Sequence, residues 1–140
     1  MKRTGSAVWR GDIKGGKGEI STQSGTLNNT QYSFATRFEN GIGTNPEELI
    51  AAAHAGCFAM AFSLILGNAG FTPESIDARA TVSLEKQDAG FAITTSHLEV
   101  TSRIPGIDEA TYQKLAGEAE KNCPVSKVLN ARISMDAKLG

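Results

Sequence analysis

Alternating apolar and polar residues predict most of the strands in this sequence. Three short segments near the N-terminus are separated by Gly-Gly and by Ser-Gly or Asn-Asn turn signals, and they predict strands over residues 7–13, 17–21 and 31–38. Residues 75–86 and 91–104 also alternate and flank the turn sequence Gln87-Asp88-Ala89-Gly90, which predicts a long hairpin. A last alternating stretch predicts a closing strand over residues 131–139.

One segment, residues 49–66, is almost wholly apolar and predicts a long helix. Thr44 or Asn45 can cap its start, Pro46 fits the first helical position, and two acids follow at the positive end. The helix is predicted to run to Gly67 or Gly70. It approaches the length of a membrane span, but its Ala and Gly content and the soluble β-patterns on both sides favour the buried core helix of a soluble protein over a membrane segment.

The C-terminal third predicts two further helices. Pro105-Gly106 ends the hairpin, Asp108 begins an amphipathic helix that reaches about Lys121, and Cys123-Pro124 begins a second, shorter one. The predicted order is βββ-α-ββ-αα-β, an α+β fold in a single domain over residues 1–140.

The apolar helix also bears on assembly. A helix that is apolar on every side must be covered on every side, and one small sheet with two modest helices covers only part of it. A homodimer is the expected arrangement, since small residues would let a partner helix approach closely. A tight contact between helix and sheet within one chain explains the same residues and stays open. The small residues are Ala51, Ala52, Ala53, Ala55, Gly56 and Ala59.

Composition and charge narrow the possible partners. The chain of 140 residues has 14 Lys plus Arg against 15 Asp plus Glu. Neither sign is collected into a run, so the sequence has no electrostatic footprint for nucleic acid. The basic N-terminus leads into a strand-like stretch and not into an apolar signal segment, so we expect a cytoplasmic protein. Because thiols stay reduced there, its two cysteines are expected to be buried thiols or a reactive pair and not a structural disulfide.

The two cysteines differ in their local sequence. Cys57 lies within the apolar helix, where burial raises the pKa of a thiol. Cys123 precedes Pro124 and so occupies an N-cap, with Lys121 and Lys127 nearby, which favours the thiolate. This comparison ranks Cys123 as the more reactive thiol. For Cys57 to attack a substrate, a nearby cation must offset its burial; Arg37 is the candidate, although a strand-edge arginine is often only solvated.

Several motifs together resemble the OsmC/Ohr family, and more closely its OsmC (osmotically induced protein C) branch. The resemblance extends over nearly the whole chain and implies antiparallel sheets around a long central buried helix in an intertwined homodimer. The motifs are Trp9-Arg10-Gly11-Asp12-Ile13, Lys17-Gly18, Thr44-Asn45-Pro46-Glu47-Glu48-Leu49, Ala51-Ala52-Ala53-His54-Ala55-Gly56-Cys57-Phe58, Asp88-Ala89-Gly90-Phe91-Ala92-Ile93-Thr94 and Asn122-Cys123-Pro124-Val125-Ser126.

The resemblance implies a thiol-dependent peroxidase that acts in oxidative or osmotic stress defence, reducing organic hydroperoxides and, more weakly, hydrogen peroxide. Cys57 would become a sulfenic acid and Cys123 would condense with it to a disulfide, which reverses the ranking above. Arg37 would stabilise the Cys57 thiolate, and Glu47 would hold Arg37 in place. The family pattern favours Glu47 over Glu48. No cofactor is implied, and the reductant would be a dithiol or a small thiol.

The spacing of Glu47 and Cys57 adds an expectation about the dimer. Ten residues of continuous helix rise roughly 15 Å, too far for Glu47 to reach the cysteine of its own chain. The acid is therefore expected to come from the other subunit, unless the helix is broken or a long arginine bridges the gap. Each homodimer would then hold two sites.

Other residues allow further interpretations. An apolar entrance for organic peroxides, or plain core packing, would use Phe34, Phe38, Ile42, Phe58 and Phe71. His54 and His97 lack the close spacing of a zinc site, and His54 is expected to be a core or interface residue bonded to backbone. Two other functions stay open: a non-enzymatic, stress-induced protein that binds a small ligand, and a dithiol oxidoreductase, which the absence of CxxC disfavours.

Overall fold

The computed structural model describes residues Met1–Gly140, which form two compact units, Met1–Leu49 and Ile50–Gly140. Each unit has its own three-stranded sheet. Four helices and six strands give an α+β fold, as the sequence predicts. The single domain over residues 1–140 stays a prediction.

The first unit is built on an antiparallel sheet of strands β1 (Gly5–Arg10), β2 (Lys17–Thr22) and β3 (Thr30–Tyr32), in that order. Gly18 lies opposite Trp9 on one neighbouring strand and Tyr32 on the other. The two aromatic rings approach to 5.5 Å between centroids. A Cβ atom on Gly18 would lie 2.2 Å from the Tyr32 ring, so only glycine fits between these rings.

The predicted strand over residues 31–38 is wrong beyond Tyr32. Ser33 begins a short helix, α1 (Phe34–Phe38), with a capping box: the Thr36 amide donates to Ser33 Oγ at 3.3 Å and the Ser33 amide donates to Thr36 Oγ1 at 2.8 Å. These two local hydrogen bonds satisfy backbone donors that a strand would have to pair across a sheet. Arg37 therefore lies on a helix and not at a strand edge.

Helix α2 (Pro46–Asn68) begins and ends where the sequence predicts. Asn45 is its N-cap, accepting the Glu48 amide at 2.8 Å. At the other end Gly70 adopts φ +89°, and the Phe71 amide donates to the Leu66 carbonyl at 2.9 Å, a Schellman ending that requires glycine.

Within one chain, α2 is buried along one face only, as expected of a helix that a single chain covers only in part. One face is buried within the second unit, where His54, Phe58, Phe62 and Leu66 follow one another at intervals of four residues. Only 22% of its most apolar 18-residue window is buried within the chain, and Met60 and Leu64 are 78% and 65% exposed. The helix is long and apolar enough to cross a membrane by length and composition alone.

The second unit contains a mixed sheet of β4 (Ser75–Gln87), β5 (Gly90–Arg103) and β6 (Arg132–Leu139). The hairpin of β4 and β5 is antiparallel, with a bulge at Ser83/Leu84. Strand β6 pairs with β5 in parallel, so the predicted all-antiparallel arrangement is wrong at this position. Helices α3 (Glu109–Asn122) and α4 (Pro124–Val128) form the crossover that a parallel pair requires.

The core of the second unit lies between α2, α3 and the mixed sheet. Tyr112 is fully buried, with its ring centroid 5.6 Å from that of Phe62. Its hydroxyl donates to Ser102 Oγ at 3.2 Å or to the Lys138 carbonyl at 3.0 Å. The buried apolar residues are Phe58, Phe62, Leu66, Leu98, Val100, Ile104, Tyr112, Leu115, Ala116 and Ala119.

Candidate active site

The structure brings Cys57 and Cys123 together within the second unit. Cys57 lies in the middle of α2 and is half-buried. Cys123 is fully buried at the junction where it caps both the end of α3 and the start of α4. Both are free thiols, and they lie close enough for each to shift the pKa of the other. Two sulfurs in this relation can interconvert between a dithiol and a disulfide.

The two sulfurs are stabilised differently. Burial raises the pKa of the Cys57 thiol, and the hydrogen bond and charge of Cys123 raise it further, against a smaller opposing effect of the Val125 amide. Burial also acts to raise the pKa of Cys123, but hydrogen bonds from Cys57, from the Ser126 amide and hydroxyl and from the Val125 amide outweigh it, so that the pKa of Cys123 is lowered. Within its own unit, Cys57 therefore lacks the group that would make it a thiolate.

A cleft of about 690 Å³ opens on Cys57. Its walls come from one face of α2 and from the end of α3 with the start of α4. The lining is mostly apolar, and Glu118 is its single charged residue. It is lined by Cys57, Met60, Ala61, Leu64, Ile65, Glu118, Asn122 and Pro124.

The first unit contains a paired guanidinium and carboxylate. Arg37 of α1 donates through Nη2 to Glu47 Oε1 at 2.8 Å and through Nε to the same oxygen at 3.1 Å and to Oε2 at 3.3 Å. The Glu47 side chain is 11% exposed and that of Arg37 is 39% exposed. A nearly buried carboxylate thus holds one edge of the guanidinium, while part of the cation stays accessible.

The neighbouring acid has a different partner. Glu48 accepts a hydrogen bond from the Thr44 hydroxyl at 2.6 Å and does not pair with Arg37. Asn45 fixes the turn before α2, since its Nδ2 donates to the Thr36 carbonyl of α1 at 3.0 Å while its Oδ1 caps α2. Together these bonds hold the ends of α1 and α2 so that Arg37 meets Glu47.

An apolar pocket of about 240 Å³ lies beside Arg37 in the first unit. The rings of Phe34 and Phe38 line it with centroids 4.8 Å apart, and the guanidinium carbon of Arg37 lies 5.5 Å from the Phe38 centroid. Of the two interpretations left open for the five apolar residues, core packing holds for Phe58, which is fully buried in the core of the second unit, and for Phe71, which packs against that core. Ile42 is 92% exposed and does not line the pocket.

His54 differs from its prediction as well. It is fully buried, as expected of a core residue, but its ring nitrogens bond to two serine hydroxyls and not to backbone. Nδ1 lies 2.6 Å from Ser96 Oγ and Nε2 lies 2.8 Å from Ser126 Oγ. Sequence reasoning missed both serines, because they lie 42 and 72 positions from His54. The structure brings together no three His, Cys, Asp or Glu side chains that could hold a metal ion.

Comparison with known proteins identifies the family. The model of the family described as OsmC-like protein matches residues 39–138. Peroxiredoxin OsmC of Escherichia coli is 58% identical over 99% of this chain and 97% of its own length. The organic hydroperoxide resistance protein of Xanthomonas axonopodis is 31% identical over 71% of this chain and 68% of its own.

A solved structure agrees in fold. The crystal structure of the organic hydroperoxide resistance protein OhrB of Bacillus subtilis superposes with a TM-score of 0.74 at 27% identity, covering 96% of this chain and 98% of that one. The identity to a peroxiredoxin over the full chain favours an enzyme over the non-enzymatic ligand-binding alternative. The apolar helix α2 accordingly belongs to a soluble protein. The chain is a member of the OsmC-like protein family and, within it, a peroxidase.

Proposed function

We propose that the chain reduces organic hydroperoxides by cycling Cys57 and Cys123 between two thiols and a disulfide. The observation that carries this proposal is the close approach of the two free thiols, of which Cys57 lines the cleft. The names of the relatives, a peroxiredoxin and organic hydroperoxide resistance proteins, support the same substrate class.

The cycle has three steps. The Cys57 thiolate attacks one peroxide oxygen, the O–O bond breaks, the alcohol leaves after taking up a proton, and Cys57 becomes a sulfenic acid. The Cys123 thiolate then attacks the Cys57 sulfur and forms the disulfide, while the departing hydroxide takes up a proton to give water. An external dithiol or small thiol reduces the disulfide and is itself oxidised, which restores both thiols.

Arg37 is the group proposed to activate Cys57. Burial and Cys123 raise the pKa of Cys57 within its own unit, so a cation must be supplied from elsewhere. Arg37 keeps its charge at all relevant pH values, and Glu47 holds its Nε and Nη2 edge. The remaining, accessible part of the guanidinium can then face the thiolate and the peroxide oxygens.

The activating pair is proposed to reach Cys57 from a second subunit. Glu47 and Cys57 are ten residues apart on the continuous helix α2, a rise of about 15 Å. The exposed face of α2, with Met60 and Leu64, supports a homodimer, because so large an apolar surface is stable in water only when it is covered. The dimer would therefore complete both sites at once.

The pocket beside Arg37 supports a preference for organic peroxides over hydrogen peroxide. Phe34 and Phe38 offer an apolar wall next to the cation that would bind the peroxide oxygens. An alkyl or aryl group gains favourable burial against these rings, and hydrogen peroxide has no such group. A cytoplasmic location agrees with the need for free thiols and stays part of the proposal.

Peroxide consumption by three proteins tests the proposed roles. With cumene hydroperoxide and a dithiol donor, the wild type should turn over, Cys57→Ser should be inactive, and Cys123→Ser should react once and then become overoxidised. Equal rates for all three proteins would refute the assignment of the cysteines and return ligand binding as the leading function.

Mixing two inactive variants tests the shared site. Arg37→Ala and Cys57→Ser dimers that exchange subunits at equal concentrations should recover about one quarter of the wild-type rate, because half of the dimers then contain one intact site. If Arg37 acted on the cysteine of its own chain, mixing would restore no activity. Each variant incubated alone for the same time is the control.

A further inference from the structure

The Ser96, His54 and Ser126 side chains form a hydrogen-bonded chain that the proposed cycle does not use. It runs from β5 through α2 to α4, with Nδ1 to Ser96 Oγ at 2.6 Å and Nε2 to Ser126 Oγ at 2.8 Å. His54 and Ser96 are both fully buried. Both ring nitrogens are thus paired with hydroxyls, one fully buried and the other, that of Ser126, half-buried.

Burial keeps the imidazole neutral. The pKa of His54 is lowered because burial penalises its charged form, and neither of its partners is a carboxylate. A neutral imidazole has one N–H donor and one acceptor nitrogen, so one serine must donate to it while the other accepts from it. The two tautomers therefore reverse the donor and acceptor roles in both hydrogen bonds, to Ser96 and to Ser126.

The Ser126 end of this hydrogen-bonded series lies in the first turn of α4, which Cys123 precedes. Ser126 lies three residues after Cys123 in the first turn of α4, and its hydroxyl and amide both lower the pKa of that thiol, against the larger opposing effect of burial. The Ser126 hydroxyl has a single hydrogen and cannot donate it to His54 and to Cys123 at once. When His54 carries its proton on Nε2, it donates to Ser126 and leaves the serine hydrogen free for the sulfur.

We propose that Ser96, His54 and Ser126 are positioning residues for the resolving cysteine. Ser96 donates to Nδ1, Nε2–H donates to Ser126, and the Ser126 hydroxyl donates to the Cys123 thiolate and holds it ready to attack the Cys57 sulfenic acid. The inference rests on the proposed function in assigning the resolving step to Cys123. None of these three hydrogen-bonded side chains acts on Cys57 directly, so they can affect the reaction with peroxide only indirectly, through Cys123.

Single-turnover kinetics separate a positioning role from a purely structural one. In Ser126→Ala, disulfide formation should slow by about 3- to 15-fold relative to sulfenic acid formation on Cys57, since a hydrogen bond to a charged group is lost and thiolate reactivity follows only part of its basicity. Ser126→Thr keeps the hydroxyl and should restore the rate. Ser102→Ala is the matched control, because Ser102 is equally buried on the same strand as Ser96 but bonds to Tyr112.

Two outcomes would overturn the positioning role. Disulfide formation at the wild-type rate in Ser126→Ala is one, and equal slowing in Ser96→Ala and Ser102→Ala is the other, because it would assign the effect to general loss of packing. The nitrogen chemical shifts of His54 in the folded wild type provide an independent check. A proton on Nδ1 would contradict the proposal, in which Nδ1 accepts from Ser96 and Nε2 donates to Ser126.

A separate assay distinguishes this inference from the proposed function. In the Cys57→Ser background, ionisation of the buried Cys123 thiol can be followed by its ultraviolet absorbance and requires no peroxide chemistry. Adding Ser126→Ala to that background should move the thiolate transition to higher pH, because a hydrogen bond to the charged sulfur is lost. If the transition moves but Cys57→Ser still consumes peroxide, the proposed function fails while the positioning of Cys123 stands; if the transition is unchanged, the positioning fails.

Discussion

Replacing Glu47 by glutamine tests how the Arg37 guanidinium is held. Glutamine has the same shape as glutamate but no charge, and its amide has one acceptor where the carboxylate has two. An oxygen in the place of Oε1 can still accept from Arg37 Nη2 and Nε, but the NH₂ group in the place of Oε2 faces the Nε–H of Arg37, donor against donor. The variant should therefore lose the charge and the bond from Nε to the second oxygen.

The geometry and burial of the Arg37–Glu47 pair determine how large the loss in oxidation rate should be. The bonds range from 2.8 to 3.3 Å, and the carboxylate is nearly buried while the guanidinium is 39% exposed. A buried charge-assisted pair contributes about 1.5–3 kcal/mol and an exposed one less than about 1 kcal/mol, which places this pair at about 1–2 kcal/mol. Oxidation of the reduced enzyme by cumene hydroperoxide should then slow by about 5- to 30-fold.

The assay is the second-order rate of Cys57 oxidation, measured by stopped flow on pre-reduced protein. The Glu48→Gln variant is the matched control, because Glu48 lies next to Glu47 in α2 but accepts from Thr44. Its oxidation rate should stay close to that of the wild type. Equal slowing in both variants, or no slowing in Glu47→Gln, would refute the role of the Arg37 pair.

Three further predictions concern stability and assembly. Tyr112→Phe removes the donor to Ser102 and the Lys138 carbonyl and should lower the free energy of unfolding by about 1–2 kcal/mol in urea titrations; an unchanged midpoint would show that these acceptors find other donors. Because burial lowers the pKa of His54 below its ordinary value of 6.5, the unfolded chain binds this proton more readily than the folded protein. The free energy of unfolding should therefore fall as the pH drops below 6.5 toward the native pKa, and it should fall less steeply in His54→Gln. Leu64→Glu adds a charge to the exposed face of α2 and should shift the dimer to monomer in analytical ultracentrifugation, while Glu74→Gln, on the short link before β4, should not.

The elements with strong local signals were predictable from the sequence. Asn45 and Pro46 place the start of α2, Asp108 caps α3, and the alternation around residues 87–90 predicts the long hairpin. Ser33 and Thr36 carry an equally local signal, but the aromatic alternation of the neighbouring residues conceals it, so α1 is missed.

Features that depend on distant pairing were not predictable. Alternation gives the position of β6 but not its direction relative to β5, which depends on how α3 and α4 pack. The serines bonded to His54 lie far away in sequence, so no spacing rule indicates them. For the cysteines, burial acts to raise the pKa of Cys123, which is lowered most by Cys57, a partner distant in sequence, and then by Ser126 and Val125, so the position of this cysteine before α4 accounts for only part of the effect. The proposed activation of Cys57 requires a cation that its own helix does not supply.

The parallel pairing of β6 with β5 also bears on the proposed pairing of the two cysteines. Only residues 129–131 separate α4 from β6, so a slip of the strand would pull on α4 and on Cys123 at its start. A slip of two residues, the smallest that keeps each side chain on its own face of the sheet, moves the strand by about 6.6 Å. A disulfide tolerates Cα separations of only about 4.4–6.8 Å, so such a slip would separate the pair. The alignment of a strand that holds none of the proposed catalytic residues therefore bears on whether the proposed disulfide can close.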